Sequence, residues 1–305
     1  MNITILCKLF GISRQAYYQG LARRREELGT RKQVVKLVKT VRKKHSRMGG
    51  KKLYGKLLGK FAERGVKCGR DKFFDILREE NLLVRNRKRF VKTTQGNHRF
   101  RKYPNLLQGL EIKRAEQVWV SDITYIRTKN GFLYLFLITD AYSKQIMGWD
   151  LSDNLKTTNA IRALKMAMRN RRYPERPLIH HSDRGIQYCT PSYTEVLEKN
   201  RIEISMTTKY DPYENAVAER VNGILKTEYD IGEGFVDEKD ARREIRHTIW
   251  LYNTDRPHLS CKGLVPRTAH GLENHVLRSW SKKRGAEEPR IADGKPHDGS
   301  QGGVF

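Results

Sequence analysis

The sequence predicts an α/β domain over residues 115–272, preceded by an all-α, strongly basic region. Three observations support this division. Residues 116–151 carry three consecutive strand patterns, residues 157–206 alternate between helix and strand patterns, and the first 84 residues carry helical patterns alone. A chain of 305 residues is long enough for more than one domain.

Positive charge is concentrated in the first third of the chain. The net charge is +27, and residues 1–114 hold 32 Lys and Arg against 8 Asp and Glu, whereas residues 115–305 hold 29 against 26. This asymmetry is typical of a polyanion-binding region joined to a nearly neutral catalytic domain. A membrane-surface or ribosomal protein is the alternative that composition alone leaves open.

Residues 1–28 are predicted to form a small helix-turn-helix. Leu6, Leu9 and Phe10 give the first helix an apolar face, Gly11 supplies the turn, and Ser13 can cap a second helix that begins near Arg14. We therefore expect Arg14 to contact DNA. A plain helical hairpin without DNA contacts is the alternative.

Residues 29–84 are predicted to form a second basic helical unit, whose last helix opens near Arg70, a further candidate DNA contact. A basic bundle that faces only solvent is the alternative. Residues 85–114 have the composition of an extended linker along DNA phosphates, with Arg87, Lys88 and Arg89 as contacts whose contribution weakens with salt. Residues 273–305 lose apolar periodicity, and we expect them to form a disordered tail.

The elements of the α/β domain follow from local patterns. A Thr-Lys-Asn-Gly turn at 128–131 predicts a hairpin between the first two strands. Strands are expected at 117–127, 132–140, 144–151, 177–181 and 202–206, and helices at 157–171, 191–200, 212–229 and 237–252.

Three carboxylates within these elements predict a metal site. Asp122 lies in a strand of aromatic and β-branched residues, Asp183 directly follows a short strand, and Glu219 lies in a helix. A carboxylate in such a strand is costly to bury unless a positive charge meets it. Carboxylate oxygens are the ligands that Mg²⁺ prefers, and two such ions can stabilise the attacking and leaving oxygens of a phosphoryl transfer.

Two further features give the sequence a family resemblance. Asp183 and Glu219 are separated by 35 residues, and the segment Tyr252–His258 reads Tyr-Asn-Thr-Asp-Arg-Pro-His. Together with the segment around Asp122, they resemble the Asp-Asp-Glu core of insertion-sequence transposases and retroviral-type integrases. The chain is most similar to the IS-three family, in its downstream-frame catalytic polypeptide, over roughly residues 5–270.

The resemblance implies a ribonuclease-H-like mixed sheet in which the first strand and the end of the fourth lie side by side. It also implies metal-dependent DNA cleavage and strand transfer, with Asp122, Asp183 and Glu219 holding two Mg²⁺ ions for which Mn²⁺ can substitute. The sequence departs from the family pattern at Cys261, Val265 and Glu214. These departures leave the three acids intact.

The resemblance extends to residues around the acids. Asn215, Glu219, Asn222 and Lys226 fall on one helical stripe, which we expect to face DNA, with Lys226 near a terminal phosphate. The family pattern also includes Gln187 and Tyr188, which are expected to shape the site, and Arg256 and His258, which have no assigned role. His181 has a structural role, orients Asp183 or contacts DNA.

The expected partners are DNA, as terminal inverted repeats and target, other copies of the chain, and a fused or associated helix-turn-helix protein from an upstream frame. The sequence carries no signal peptide or membrane span, and its four cysteines lack zinc-ligand spacing, so a bacterial cytoplasmic, nucleoid-associated protein with free thiols is expected. A nuclease of the same fold that cuts without joining, and a DNA-binding regulator or inactive remnant, are the alternatives.

Overall fold

A computed structural model describes residues 3–84, 99–129, 131–208 and 215–272. Helices alone occupy the described residues before 85, and a mixed sheet with helices on both faces follows, as predicted. The predicted DNA contacts Arg87, Lys88 and Arg89 lie outside the described residues, as does the predicted tail 273–305. None of the described helices combines the length and the apolar character needed to cross a lipid bilayer.

The N-terminal helices are α1 (Ile3–Leu9), α2 (Arg14–Arg42), α3 (Gly50–Glu63) and α4 (Arg70–Glu79). The predicted turn and cap are confirmed, because Gly11 has a φ of 63° and the Ser13 hydroxyl accepts the N–H of Ala16 at 3.0 Å.

The second helix runs much further than the predicted helix-turn-helix, and a domain boundary between residues 28 and 29 falls inside it. Residues 14–42 contain no proline and are rich in strong helix formers, and each of the two internal glycines costs only about 1 kcal/mol. The second half of α2 packs with α3 and α4 around Val38, Leu53 and Phe73, and the basic side chains lie outside this cluster.

Five strands form one sheet in the order β3-β2-β1-β4-β5. They are β1 (Val118–Thr128), β2 (Gly131–Asp140), β3 (Ile146–Ser152), β4 (Leu178–Ser182) and β5 (Ile202–Met206). The first three pair antiparallel, and Thr128 pairs with Gly131, so the predicted hairpin is confirmed. β4 lies parallel to both β1 and β5. This is the mixed sheet that the family resemblance implies.

Helices cover both faces of the sheet. They are α5 (Thr157–Arg169), α6 (Ile186–Cys189), α7 (Pro191–Lys199), α8 (Ala216–Glu228), α9 (Glu238–Thr254) and α10 (Pro266–Gly271). On one face, α5 and α7 pack on Trp119 and Phe136, and on the other, α8 and α9 pack on Leu135 and Leu137. Alternate residues of the central strands therefore supply two separate cores.

Residues 99–114, predicted to be part of an extended DNA-binding linker, pack in part on the α/β domain. The Pro104 carbonyl accepts the N–H of Met206 at 3.2 Å, and the Leu106 N–H donates to the Ser205 hydroxyl at 2.9 Å. Leu107 and Ile112 contact a buried cluster on β1. The linker prediction rested on the positive charges of this segment. Its apolar residues, however, stabilise the fold when they are buried against the sheet.

We expect Gly148→Ala to lower the free energy of unfolding by about 3 kcal/mol, because a Cβ there would lie 2.2 Å from the Ala163 carbonyl oxygen of α5. Urea unfolding will measure the change. Gly223→Ala is the matched control, since open space surrounds that helical glycine. The control is expected to be neutral or slightly stabilising, and an equal loss in both variants would contradict the close approach of α5 to β3.

A buried polar network holds α10 against the start of β1. The Glu116 carboxylate lies 3.0 Å from Nε of Arg171 and 3.2 Å from Nε2 of His270, and the Glu116 N–H donates to Asp140 at 2.7 Å. Burial alone would favour the neutral forms of Glu116 and His270, but hydrogen bonds and nearby charges outweigh it and stabilise the charged forms. The contacts with His270, Arg172 and Arg171 lower the pKa of Glu116 to about 2. Those with Asp140 and Glu116 raise the pKa of His270 to about 9.

The network predicts a pH-dependent stability. The charged His270 ring should stabilise the fold fully below its unfolded pKa of about 6.5, and this contribution should disappear as the pH rises through about 9. We therefore expect the wild-type chain to exceed His270→Gln in unfolding free energy near pH 6, by at most about 3 kcal/mol, and the two to converge near pH 10. A difference that does not change with pH would show that the ring acts through packing alone.

Candidate active site

Strand register brings Asp122, in the middle of β1, beside Asp183, which directly follows β4. Ser121 and Ser182 are the last paired positions of β1 and β4, and each acid is the next residue of its strand or strand end. Parallel neighbours lie about 4.8 Å apart, so both carboxylates reach one edge of the sheet. The predicted side-by-side arrangement of these two segments is confirmed.

Asp122 is a partly buried carboxylate with donors on both oxygens. The Asn222 side-chain amide donates to Oδ2 at 2.7 Å, and the N–H of Ile123 donates to Oδ1 at 2.9 Å. Burial and then the negative charge of Asp183 raise the pKa of Asp122 to about 7, against the lowering effect of these two donors. The two carboxylates therefore repel each other, and a cation bound between them would relieve that repulsion.

Asp183 is held by the turn that follows β4. Its Oδ1 accepts the N–H of Gly185 at 3.0 Å, and a Cβ added to Gly185 would lie 3.0 Å from the same oxygen. A side chain at this position would therefore crowd the carboxylate, which glycine avoids. The Tyr188 ring is buried beside it, and burial, with the charges of Tyr193, Asp183 and Asp122, raises the pKa of Tyr188.

Helix α8 brings an acid and a base toward the same edge. The Glu219 charge contributes to the raised pKa of Asp122. Lys226 is partly buried, and burial lowers its pKa while the charge of Asp122 opposes that shift. Three carboxylate donors match the chemistry of Mg²⁺. Within the described ranges, however, no three acidic, His or Cys side chains form a ready-made ligand set for one ion, so the three-residue metal site stays a prediction.

Two members of the predicted DNA-facing stripe of α8 have hydrogen-bond partners within the chain. Asn215 is 7% exposed, and its amide donates to the Ser121 carbonyl oxygen at 3.1 Å. Asn222 is buried against Asp122 in the same way. Both amides bind oxygen atoms of β1 at the point where its pairing with β4 ends, because buried acceptors there need donors. The three- and four-residue spacing of the stripe identified one helix face correctly, and contact of that face with DNA stays a prediction.

Two further residues predicted to contact DNA, Arg14 and Arg70, lie on the surface of the N-terminal helices. Arg14 is exposed at the start of α2, and Arg70 is exposed at the start of α4, where it pairs with Asp71 at 3.1 Å. Both side chains are accessible to a partner, and their contact with DNA stays a prediction.

The polar residues around Asp183 have structural partners. His181 is buried, with Nδ1 lying 2.8 Å from the Ser205 hydroxyl, and Gln187 donates to the Leu155 carbonyl oxygen at 3.0 Å. His180, which sequence patterns did not single out, lies 2.7 Å from the Ser121 hydroxyl and 3.0 Å from that of Tyr193. The alternation of side chains along β4 could have indicated that His180 and His181 face opposite sides of the sheet.

Arg256 and His258 of the later motif also face inward. The Arg256 guanidinium, 2% exposed, forms two hydrogen bonds with the Glu228 carboxylate at 2.8 and 2.9 Å. His258 is buried beside Tyr252, and burial, together with the charge of Arg256, lowers its pKa to about 3. No described contact joins either residue to Asp122, Asp183 or Glu219. The pair of Arg256 with Glu228 instead connects the end of α9 with the end of α8. The four cysteines are buried free thiols, as predicted.

Comparison with known proteins places this site in a family. The family described as integrase core domain matches residues 113–212, and another of the same description matches residues 200–266. The catalytic core of human T-lymphotropic virus 2 integrase, solved in complex with magnesium, is 18% identical, covers 52% of this chain and 97% of its own, and superposes with a TM-score of 0.42.

Relatives of known sequence match nearly the whole chain. A 31 kDa protein of insertion element IS600 from Shigella sonnei is 35% identical over 266 residues, which is 86% of this chain and 96% of that protein. Transposase InsF of insertion sequence IS3A from Escherichia coli K12 is 32% identical over 273 residues, or 87% of this chain and 92% of that protein. The chain belongs to the IS3 family of insertion-sequence transposases.

Proposed function

We propose that this protein is a DNA transposase, a polynucleotidyl transferase that cleaves DNA at the ends of an insertion sequence and joins them to target DNA. The observation that carries the proposal is the parallel register of β1 and β4, which brings Asp122 and Asp183 to one edge of the sheet. The length over which the chain matches InsF supports it.

Asp122, Asp183 and Glu219 are proposed to hold two Mg²⁺ ions, with Mn²⁺ as a substitute. When bound, such ions activate the attacking oxygen and stabilise the leaving oxygen of a phosphodiester. Asn222 and the Ile123 N–H orient Asp122, and the Gly185 N–H orients Asp183. Burial and the charge of Asp183 raise the pKa of Asp122 to about 7, so part of the Asp122 carboxyl groups carry a proton at neutral pH. Metal binding should release that proton.

The basic helices are proposed to bind the terminal repeats, with Arg14, Arg70 and the segment containing Arg87, Lys88 and Arg89 along the phosphates. Lys226 is proposed to contact a phosphate near the cleavage site. Its partly buried ammonium interacts electrostatically with Asp122, which supports a position close to the acids. Several copies of the chain are proposed to act together on the two ends, alone or with an upstream-frame protein.

A strand-transfer assay tests this function. Duplex oligonucleotides bearing the inverted repeats that flank the chain's own gene are incubated with the protein, Mg²⁺ and a plasmid target. We expect a cleaved end and a product in which that end is joined to the plasmid, both abolished by EDTA. Cleavage without joining would instead indicate a nuclease, and binding without either product would indicate a regulator.

A further inference from the structure

Two carboxylates at the ends of α8 and α9 join the N-terminal helices to the α/β domain. Glu228, the last residue of α8, binds Arg256 through two hydrogen bonds and also pairs with Lys52 of α3. Asp255, which follows α9, accepts a hydrogen bond from Lys56 of α3 at 2.5 Å. A bidentate guanidinium–carboxylate pair fixes geometry as well as charge.

His45, in the loop between α2 and α3, lies in the middle of this contact. It is 2% exposed, with Nε2 lying 2.8 Å from Asp255 and Nδ1 lying 3.0 Å from the Tyr229 hydroxyl. Burial lowers the pKa of His45 despite its hydrogen bond to Asp255. A neutral ring satisfies both contacts, since it donates to Asp255 and accepts from Tyr229.

The same loop caps the C-terminus of α8. The Arg47 N–H and the Ser46 hydroxyl both donate to the Glu228 carbonyl oxygen, at 3.2 and 3.0 Å. The last carbonyl groups of a helix lack partners within the helix and carry a partial negative charge, which favours donors and cations there. The helical unit therefore supplies partners that α8 does not find within its own domain.

We propose that His45, Lys52 and Lys56 are positioning residues, which dock the helical unit onto the C-terminal ends of α8 and α9. This proposal rests on the proposed function. Helix α8 also carries Glu219 and Lys226. These contacts fix the position at which DNA bound by the helical unit meets Asp122, Asp183 and Glu219. Recognition of an element end by the helical unit therefore determines where the DNA is cleaved.

Charge exchange between Lys56 and Asp255 tests the positioning role. Lys56→Glu and Asp255→Lys should each lower the joining rate at saturating end DNA at least tenfold, with end affinity changed less than threefold. The double variant should recover part of the rate, because it restores the ion pair but not the acceptor that Asp255 provides for His45. Lys60→Glu, an exposed position one turn further along α3, is the control for the same charge change. Absence of recovery in the double variant, with all variants folded, would overturn the positioning role of this pair.

Covalent linkage tests whether the docked arrangement is the active one. The Ser46 hydroxyl lies 2.9 Å from Asp230 Oδ2, so Ser46→Cys with Asp230→Cys should link rapidly through a short thiol-specific reagent. The wild-type chain is the control, because its cysteines are buried. We expect the linked protein to join ends at a rate within threefold of the unlinked variant.

The outcomes separate the two proposals. Failure of the thiols to link, or a linked protein that binds ends without joining them, would overturn the docking proposal while an active wild type upholds the transposase function. A wild-type chain that neither cleaves nor joins would overturn that function and the positioning role together. The linkage yield would then report only on the contact between the two units.

Discussion

Replacing Asp122 with Asn is expected to reduce cleavage and joining about a thousandfold or more, since the proposed metal site would lose a ligand charge and with it several kcal/mol of transition-state stabilisation. Asp183→Asn should behave in the same way. End binding, measured by gel shift in EDTA, should be retained because the basic helices are unchanged. Glu175→Gln, which neutralises an exposed acid on the same domain, is the matched control and should keep full activity.

The same variant should be more stable than the wild type in the absence of metal. The pKa of Asp122 is raised to about 7, so its ionised form destabilises the folded chain as the pH rises from about 4 through 7. Urea unfolding at pH 8 in EDTA should therefore favour Asp122→Asn, and the advantage should shrink toward pH 4. A variant that is inactive and also less stable at pH 8 would indicate that the carboxylate has only a structural role.

Arg256→Met is expected to lower the free energy of unfolding by about 3 kcal/mol, because the largely buried Glu228 carboxylate loses both hydrogen bonds to the guanidinium and Lys52 then compensates its charge only in part. The guanidinium is buried and holds both oxygens of Glu228. Urea unfolding will measure the loss. Adding Glu228→Gln should recover part of it, since the uncompensated charge is then gone.

Arg243→Met is the matched control for that loss. Its guanidinium is exposed on α9 and pairs with Asp240 and Glu244, and exposed pairs contribute little to stability. We expect no measurable change in Tm. If both substitutions were equally harmless, the pairing of Arg256 with Glu228 would not hold the two helices together.

Local patterns predicted much of the fold because they report local backbone geometry. Runs of apolar, aromatic and β-branched residues located the five strands of the described sheet, and the cap at Ser13 and the hairpin ending at Gly131 followed from side-chain chemistry. The extent of α2 was missed because no sequence signal between residues 14 and 42 either required or excluded a break. Packing of residues 99–114 was missed because charge dominated the interpretation of that segment.

The sequence by itself determined the order of the elements and the family resemblance and predicted which three acids form the site, because each depends on residue type and spacing along the chain. Tertiary structure alone decided that Asn222 holds Asp122 and that the helical unit docks on α8. The physical reason is that polar side chains bind whichever donor or acceptor folding brings near. Lys52 and Glu228 are 176 residues apart, and no periodicity in the sequence records that they meet.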